Sequence, residues 1–365
     1  MKYLLGLALL ITSSTSALSF EWRSSPSSNT QALESYAFDQ DAKFQTDALV
    51  VIKGDEIIFE KYAHGFTQAK PHLLWSVSKS FASAMIGMAI ADGKFSLETL
   101  ASTLEPRLNR KLADKITVRH LLQMSSGLDW NEGYEGNPLK SNVVPMLYLE
   151  GQENMARYTA NIDMGYTPGE RFNYSSGESN LMCHLLRQAL GDDELYHNYP
   201  WEHLFNPLGI TSATWERDGS ANFVCSSYLY MTPRDAARFG KLYANNGRWE
   251  GQQLLSSEWI KKTGEIAPAF LKTQLKGFAD RESYGLQWWL NRELPAKKLP
   301  RPFPSAPEST LLAEGHHGQM IVVFPELEAV IVRVGEDKKE SIDKDTLFKL
   351  SLELIKKHQV QAESL

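Results

Sequence analysis

The sequence predicts an α+β fold in which an antiparallel sheet is built from both ends of the chain around a mainly helical insertion. Three observations carry this expectation. Near the N-terminus, residues 47–53 and 56–62 are apolar, β-branched runs joined by Gly54-Asp55, the pattern of a β-hairpin. From about residue 76 to 241 the apolar residues mostly recur at helical spacing, interrupted by Gly/Pro/Asn loops such as 131–138. Strand signals return late, in 284–290, 320–324 and 328–334, the last two flanking a turn that contains Pro325. The chain then closes on an amphipathic helix over 346–357.

The division that follows places an α/β part at about 20–80 and 245–365 and a helical part at about 81–244. A chain of 365 residues with 42% hydrophobic content can bury such a core. Its net charge of −6, with no basic cluster, excludes a nucleic-acid binder. Residues 1–19 combine Lys2, the apolar run 4–11 and small polar residues up to Ser19, the composition of a secretory signal peptide. The run is too short to span a bilayer, so the expectation is export to a bacterial periplasm or the outside without a stable membrane anchor. Cys183 and Cys225 are the two cysteines; an exported chain allows them to pair, and the sequence leaves that open. With no ordered histidine spacing they do not make a zinc site, and no metal or cofactor is expected.

The chemistry centres on Trp75-Ser76-Val77-Ser78-Lys79-Ser80, which opens the apolar run 81–90. On a helix, Ser76 and Lys79 project from one face of the same turn. A serine hydroxyl becomes a useful nucleophile when a neighbour takes its proton, and a lysine held in a partly desolvated site can be neutral enough to help. A second Ser-x-x-Lys, Ser341-Ile342-Asp343-Lys344, follows the charged segment 336–340 and reads instead as the solvated start of the C-terminal helix.

Several further segments occur in the order found in class C β-lactamase-type serine hydrolases, which are penicillin-binding-protein-like. They are 117–128, ending Ser125-Ser126-Gly127-Leu128, then 167–176, containing Thr167-Pro168-Gly169-Glu170, then 232–240 and 249–259. Tyr284-Gly285-Leu286-Gln287-Trp288-Trp289 continues the series. Glu314-Gly315-His316-His317-Gly318-Gln319, with Val322-Val323-Phe324-Pro325, resembles the subgroup of 6-aminohexanoate-dimer hydrolase and related esterases. The resemblance runs from about residue 45 to 335. It implies a β-lactamase/transpeptidase-like fold and a serine hydrolase that forms an acyl-enzyme.

Literal copies of the family's other motifs stand at Tyr243-Ala244-Asn245 and Lys262-Thr263-Gly264, and both read as helix ends. Tyr174, after the Pro168-Gly169 turn, is the better match to the family tyrosine. A neighbouring Lys79 ammonium would favour its phenolate, so that it exchanges protons with Ser76 or the leaving group. The resemblance assigns His316 to the family's lysine position, makes Gly318 the site of close backbone approach, and pairs the Gln319 N–H with that of Ser76 as an oxyanion hole. Ser176 stands where β-lactamases usually carry asparagine. A histidine, only partly charged near neutrality, suits an uncharged ester or linear amide better than a β-lactam carboxylate.

The sequence therefore predicts an exported carboxylesterase or amidase acting on a small molecule. β-Lactamase, D-amino-acid peptidase and a non-turnover acylated binding or sensor protein are the alternatives. Trp75, Trp130, Trp288 and Trp289 receive no role, and Glu178 and Asp235 are expected on a solvated surface or at a helix-start cap.

Overall fold

The computed structural model describes residues 20–27, 29–133, 140–274 and 282–363. Residues 1–19, which carry the predicted leader, lie outside the described residues, as does most of the predicted 131–138 loop. From the N-terminus come β1 (Arg23–Ser24), α1 (Gln31–Ala37), the hairpin β2 (Thr46–Lys53) and β3 (Glu56–Tyr62), and the short β4 (His72–Leu73). A 3-10 turn, Trp75–Val77, then leads into α2 (Ser78–Ala91). The middle of the chain supplies α3 (Val118–Leu122), α4 (Val143–Tyr148), α5 (Met155–Ala160), α6 (Ser176–Leu190), α7 (Asp193–Pro200), β5 (Thr214–Trp215) and β6 (Leu229–Met231). After α8 (Pro233–Ala244) come the hairpin β7 (Arg248–Trp249) and β8 (Gln252–Gln253), then α9 (Ser257–Thr263) and α10 (Pro268–Lys272). The last elements are β9 (Ser283–Tyr284), β10 (Trp289–Leu290), β11 (Leu311–Gly315), β12 (Gln319–Phe324), β13 (Ala329–Gly335) and α11 (Lys344–Glu363).

Eight strands form one sheet in the order β1-β3-β2-β13-β12-β11-β10-β9. Its pairs are antiparallel except for the short parallel contact of β1 with β3. The sheet thus joins the two chain ends, β2 lying beside β13 with Val51 opposite Ile331. The predicted single strand 284–290 is instead two short strands, β9 and β10, separated by a turn in which Gln287 has φ +61°.

The apolar runs are near-continuous because both faces of the sheet are covered. Side chains alternate across a strand, so Val50, Ile52, Ile321, Val323, Val330 and Val332 join the core shared with α2 and α8. Their neighbours Leu49, Val51, Met320, Val322, Phe324 and Ile331 pack with Leu33 of α1 and with Leu347, Phe348 and Ile355 of α11. α2 is buried from Ser78 to Met88, which its all-round small and apolar surface permits. α8, inside the predicted helical part, lies against β12 and β13.

Cys183 of α6 and Cys225 form a disulfide that closes a separation of 42 residues. It ties the segment just before β6 to α6. Ser226 N–H donates to Asn180 Oδ1 of the same helix at 2.9 Å.

Candidate active site

Ser76 lies in the 3-10 turn, one step before α2 begins, rather than inside the α-helix. The residue before it, Trp75, has φ +49°. A bulky side chain seldom adopts that region, and such outliers concentrate where the surroundings impose them. Here Ser78 Oγ donates to the Trp75 carbonyl at 2.6 Å and accepts from Leu229 N–H at 3.3 Å, which locks the turn between α2 and β6.

Lys79 is 1% exposed. Its Nζ faces three oxygens: Ser76 Oγ at 2.8 Å, Ser176 Oγ at 3.1 Å and the Ser226 carbonyl at 2.9 Å. Burial lowers its pKa to about 8, while the Glu132 carboxylate opposes that shift. An amine near neutrality therefore stands beside the serine hydroxyl.

Tyr174 precedes α6, whose N-cap is Ser175, accepting from Glu178 N–H. The phenol ring stacks on Trp289 at 5.3 Å and meets Tyr284 edge-on at 5.9 Å. The Lys79 Nζ lies 5.0 Å from its centroid, and its hydroxyl shares a hydrogen bond with Ser76. The surroundings disfavour the phenolate expected from the sequence. Burial and the nearby Glu132 hold the phenol well above its ordinary value, outweighing the Ser76 hydrogen bond. Of the two groups, the lysine is the one shifted toward physiological pH.

Glu132 is the residue that sequence reasoning missed. It lies in the loop after Trp130, where nothing but an acidic residue downstream of Ser126-Gly127 signals it. Its Oε1 accepts from Ser176 Oγ at 2.5 Å, and its Oε2 accepts from Ser176 N–H at 2.8 Å and Trp130 Nε1 at 2.6 Å. Ser176, at the asparagine position of the resemblance, thus links Lys79 to a carboxylate.

The opposite wall is the end of β11. β10 pairs with Leu311 and Leu312 of that strand, and the rest of it runs on toward Ser76. Gly315 is the residue against the nucleophile. A Cβ there would stand 2.3 Å from the Leu74 carbonyl and 3.2 Å from Ser76 N, so only glycine fits. Gly318, the glycine expected here, sits elsewhere. With φ +82°, it packs against Arg333 and Asp337, which a Cβ would meet at 2.3 and 2.4 Å.

Gln319 pairs across the turn with Gly315. Its side-chain amide donates to the carbonyls of His316 at 3.0 Å, His317 at 3.3 Å and Gly335 at 2.7 Å, serving as an internal brace. His316 and His317 form the turn itself, with their rings 5.5 and 6.2 Å from that of Trp75. Beneath them the buried Arg333 places all five of its N–H donors on Thr46, Gly318, Gln45 and both oxygens of Asp337. Asp337 N–H in turn donates to the His317 carbonyl at 3.1 Å.

A serine beside a buried lysine of lowered pKa, with a tyrosine on one side and a glycine strand end on the other, is the arrangement the motifs implied. The sequence pattern of the Beta-lactamase family matches residues 35–350. The chain belongs to the β-lactamase family. It is 24% identical over 306 residues to the 6-aminohexanoate-dimer hydrolase of Paenarthrobacter ureafaciens, covering 79% of this chain and 72% of that one.

Two solved structures share the fold. A Bacillus anthracis chain named as a candidate 6-aminohexanoate-dimer hydrolase matches with a TM-score of 0.68 at 22% identity, over 88% of this chain and 80% of that one. EstCE1, a hydrolase with promiscuous acyltransferase activity, matches with a TM-score of 0.67 at 15% identity, over 90% and 97%. The chain is thus a serine hydrolase of the β-lactamase fold, with hydrolases among its relatives.

The remaining predicted positions divide. Tyr243 and Lys262 fall at the ends of α8 and α9, away from the site as expected. Glu178 is neither solvated nor a cap: it is buried, accepts from Ser126 Oγ at 2.7 Å, and desolvation raises its pKa to about 8. Asp235 is also buried and binds Thr211 N–H, Ser212 N–H and Ser212 Oγ, fastening the loop before β5 to α8. Among the described residues, no group of three or more His, Cys, Asp or Glu could hold a metal ion, and no helix is long and apolar enough to cross a membrane.

Proposed function

We propose that this protein is an exported hydrolase of uncharged carboxylic esters or linear amides, acting through an acyl-enzyme on Ser76. The observation that carries the reading is the Lys79 amine, buried, brought to a pKa of about 8 and 2.8 Å from Ser76 Oγ. As Oγ attacks the substrate carbonyl carbon, its proton passes to neutral Lys79 and the carbonyl π pair moves onto oxygen. As the tetrahedral intermediate collapses and its bond to the leaving group breaks, the Tyr174 phenol donates its proton to the departing alkoxide or amine, and the Lys79 ammonium returns to Tyr174 the proton it took from Ser76. Water then attacks the acyl-enzyme by the same route in reverse and releases the acid.

The oxyanion donors are the Ser76 N–H and, in place of Gln319, the His316 N–H that follows Gly315 on the strand end. With Gly315 as the motif glycine, Ala313 takes the place two residues earlier where the family carries lysine, and it is buried. His316 is then a rim residue beside Trp75 rather than a carboxylate clamp. The side chains at this strand end are Glu314, His316 and His317, which supports a substrate without a carboxylate near the scissile bond. The leader-like residues 1–19 support export. The 6-aminohexanoate-dimer hydrolase relative supports a linear amide.

Intact-mass measurement after rapid quenching with p-nitrophenyl butyrate tests the reading. The expected result is a single butyryl adduct and steady turnover in the wild type, neither in Ser76→Ala, and negligible nitrocefin hydrolysis. An adduct that survives Ser76→Ala refutes the nucleophile. Rapid nitrocefin turnover overturns the substrate class, and an adduct without turnover makes the protein an acylated binder.

A further inference from the structure

Lys79 has three hydrogen-bond contacts, which is one too many donors once it is neutral. A neutral amine offers two N–H groups and one lone pair. The Ser226 carbonyl is an acceptor only, so one N–H must point there. Ser176 Oγ is the ambiguous partner, because a hydroxyl can donate or accept. Glu132 removes the ambiguity: a carboxylate has no proton to give, so Ser176 must spend its single hydrogen on Glu132 Oε1. The Ser176 oxygen then faces Lys79 as an acceptor and takes the second N–H. The lone pair has one contact left, the Ser76 hydroxyl.

The geometry points to Glu132 as a positioning residue that acts through Ser176 to aim the lone pair of neutral Lys79 at the Ser76 hydroxyl. This inference rests on the Ser76 acyl-enzyme reading and adds a residue to it. The same carboxylate stabilises the ammonium that forms as Lys79 takes the proton. The other titratable groups around the lysine do neither. Tyr174 is a protonated phenol beneath Nζ, Glu178 is occupied by Ser126, and Glu314 on β11 is bonded to Lys344.

The arrangement makes an unusual prediction about Glu132→Gln. Oε2 receives two N–H donors, from Ser176 N and Trp130 Nε1, so the amide oxygen must take that place. The new NH2 group then faces Ser176 Oγ as a donor and turns the hydroxyl around. Ser176 now donates to Lys79 and captures its lone pair. The isosteric change should therefore harm the enzyme more than deleting the hydroxyl with Ser176→Ala.

The test measures kcat/KM for p-nitrophenyl butyrate from pH 6 to 10 in wild type, Glu132→Gln, Glu132→Asp, Ser176→Ala and Glu132→Gln/Ser176→Ala, with thermal unfolding of each. The expected order places Glu132→Gln below Ser176→Ala, with a plateau loss of up to about 10²-fold. The double variant should recover to the Ser176→Ala level, since no reversed hydroxyl remains. The acid limb should move to lower pH by about one unit in Glu132→Gln, where the opposite charge is lost, and stay in place in Glu132→Asp. A loop-pinning role predicts the reverse: Glu132→Gln milder than Ser176→Ala, a worse double variant, and an unmoved limb. That outcome overturns the inference and leaves the Ser76 reading standing. If Glu132→Gln does not fold, Glu132→Ala takes its place: the inference predicts an acid limb moved to lower pH, because the opposite charge is lost, and loop-pinning predicts an unmoved one. A butyryl adduct surviving Ser76→Ala would instead remove the parent reading.

Discussion

Two Ser-x-x-Lys segments in this chain begin helices, and they have opposite fates. Lys79 is buried among neutral oxygens and reaches its nearest carboxylate only through the Ser176 hydroxyl, so burial wins and its pKa falls to about 8. Lys344 touches two carboxylates directly, Glu282 at 2.7 Å and Glu314 at 2.6 Å, so attraction outweighs burial and it is held firmly charged. Its surroundings also correct the solvated helix start expected from sequence, since the side chain is only 24% exposed. The Glu282 carboxyl, crowded by Glu314 and desolvated, rises to about 7. The same four-residue pattern thus yields an amine of lowered pKa beside a serine in one place and an ionic fastener of α11 to the sheet in the other. The deciding variable is the number of direct carboxylate partners.

Replacing each lysine by methionine should separate the two roles most strongly. Lys79→Met should lower kcat/KM for p-nitrophenyl butyrate by roughly 10²- to 10⁴-fold, the range for a lost proton-transfer group, with little loss of stability. Lys344→Met should leave turnover by the folded protein within about tenfold, and destabilise it by about 1–2 kcal/mol, because two half-buried carboxylates lose their cation. Turnover assays and thermal unfolding on both variants check the pair.

The two glycines of the 315–318 turn should divide in the same way. Gly315→Ala should reduce acylation by about 10²-fold, because the methyl displaces the Ser76 and Leu74 backbone. Gly318→Ala should act on stability, by about 1–3 kcal/mol, through its positive φ and the Arg333–Asp337 pair. Measuring adduct formation against urea unfolding separates the two effects.

A smaller effect concerns Glu178, a buried acid with no cation. Its folded pKa of about 8 lies above the ordinary 4.5. Its contribution to stability is therefore complete below pH 4.5 and lost as pH rises through 8. Glu178→Gln, which keeps an acceptor for Ser126, should match the wild type near pH 5 and exceed its stability by about 2 kcal/mol at pH 9. Unfolding midpoints across that range give the sign directly.

Much of the fold was legible because the strand runs are long and apolar. The 47–62 hairpin and the strands about Pro325 appear almost where the apolar runs placed them. That Ser76, Lys79 and Tyr174 lie together was legible because their motifs have fixed order, and helix-end signals alone placed Tyr243 and Lys262 at the ends of α8 and α9. The third motif was not, because His316-His317-Gly318 imitates Lys-Thr-Gly in spacing while the strand ends one glycine earlier. Close approach to Leu74 and Ser76 picks out Gly315, and that is a tertiary fact. Glu132 was hidden for a related reason. A loop acid becomes part of a site only when α6 brings Ser176 to it, about 44 residues along the chain. The pairing of Cys183 with Cys225, open in the sequence, is settled by α6 and the segment before β6 lying side by side.

The central claim is that Ser76 is activated by the neutral amine of Lys79. The most direct test is the pH dependence of the rate at which a fluorophosphonate labels Ser76, followed by intact mass in the wild type and in Lys79→Met. If the neutral amine activates Ser76, the wild-type rate rises with pH to a plateau, with its midpoint near 8, and the variant labels slowly without that limb. A rate that is flat from pH 6 to 10, or a limb that persists unchanged in Lys79→Met, would contradict that claim.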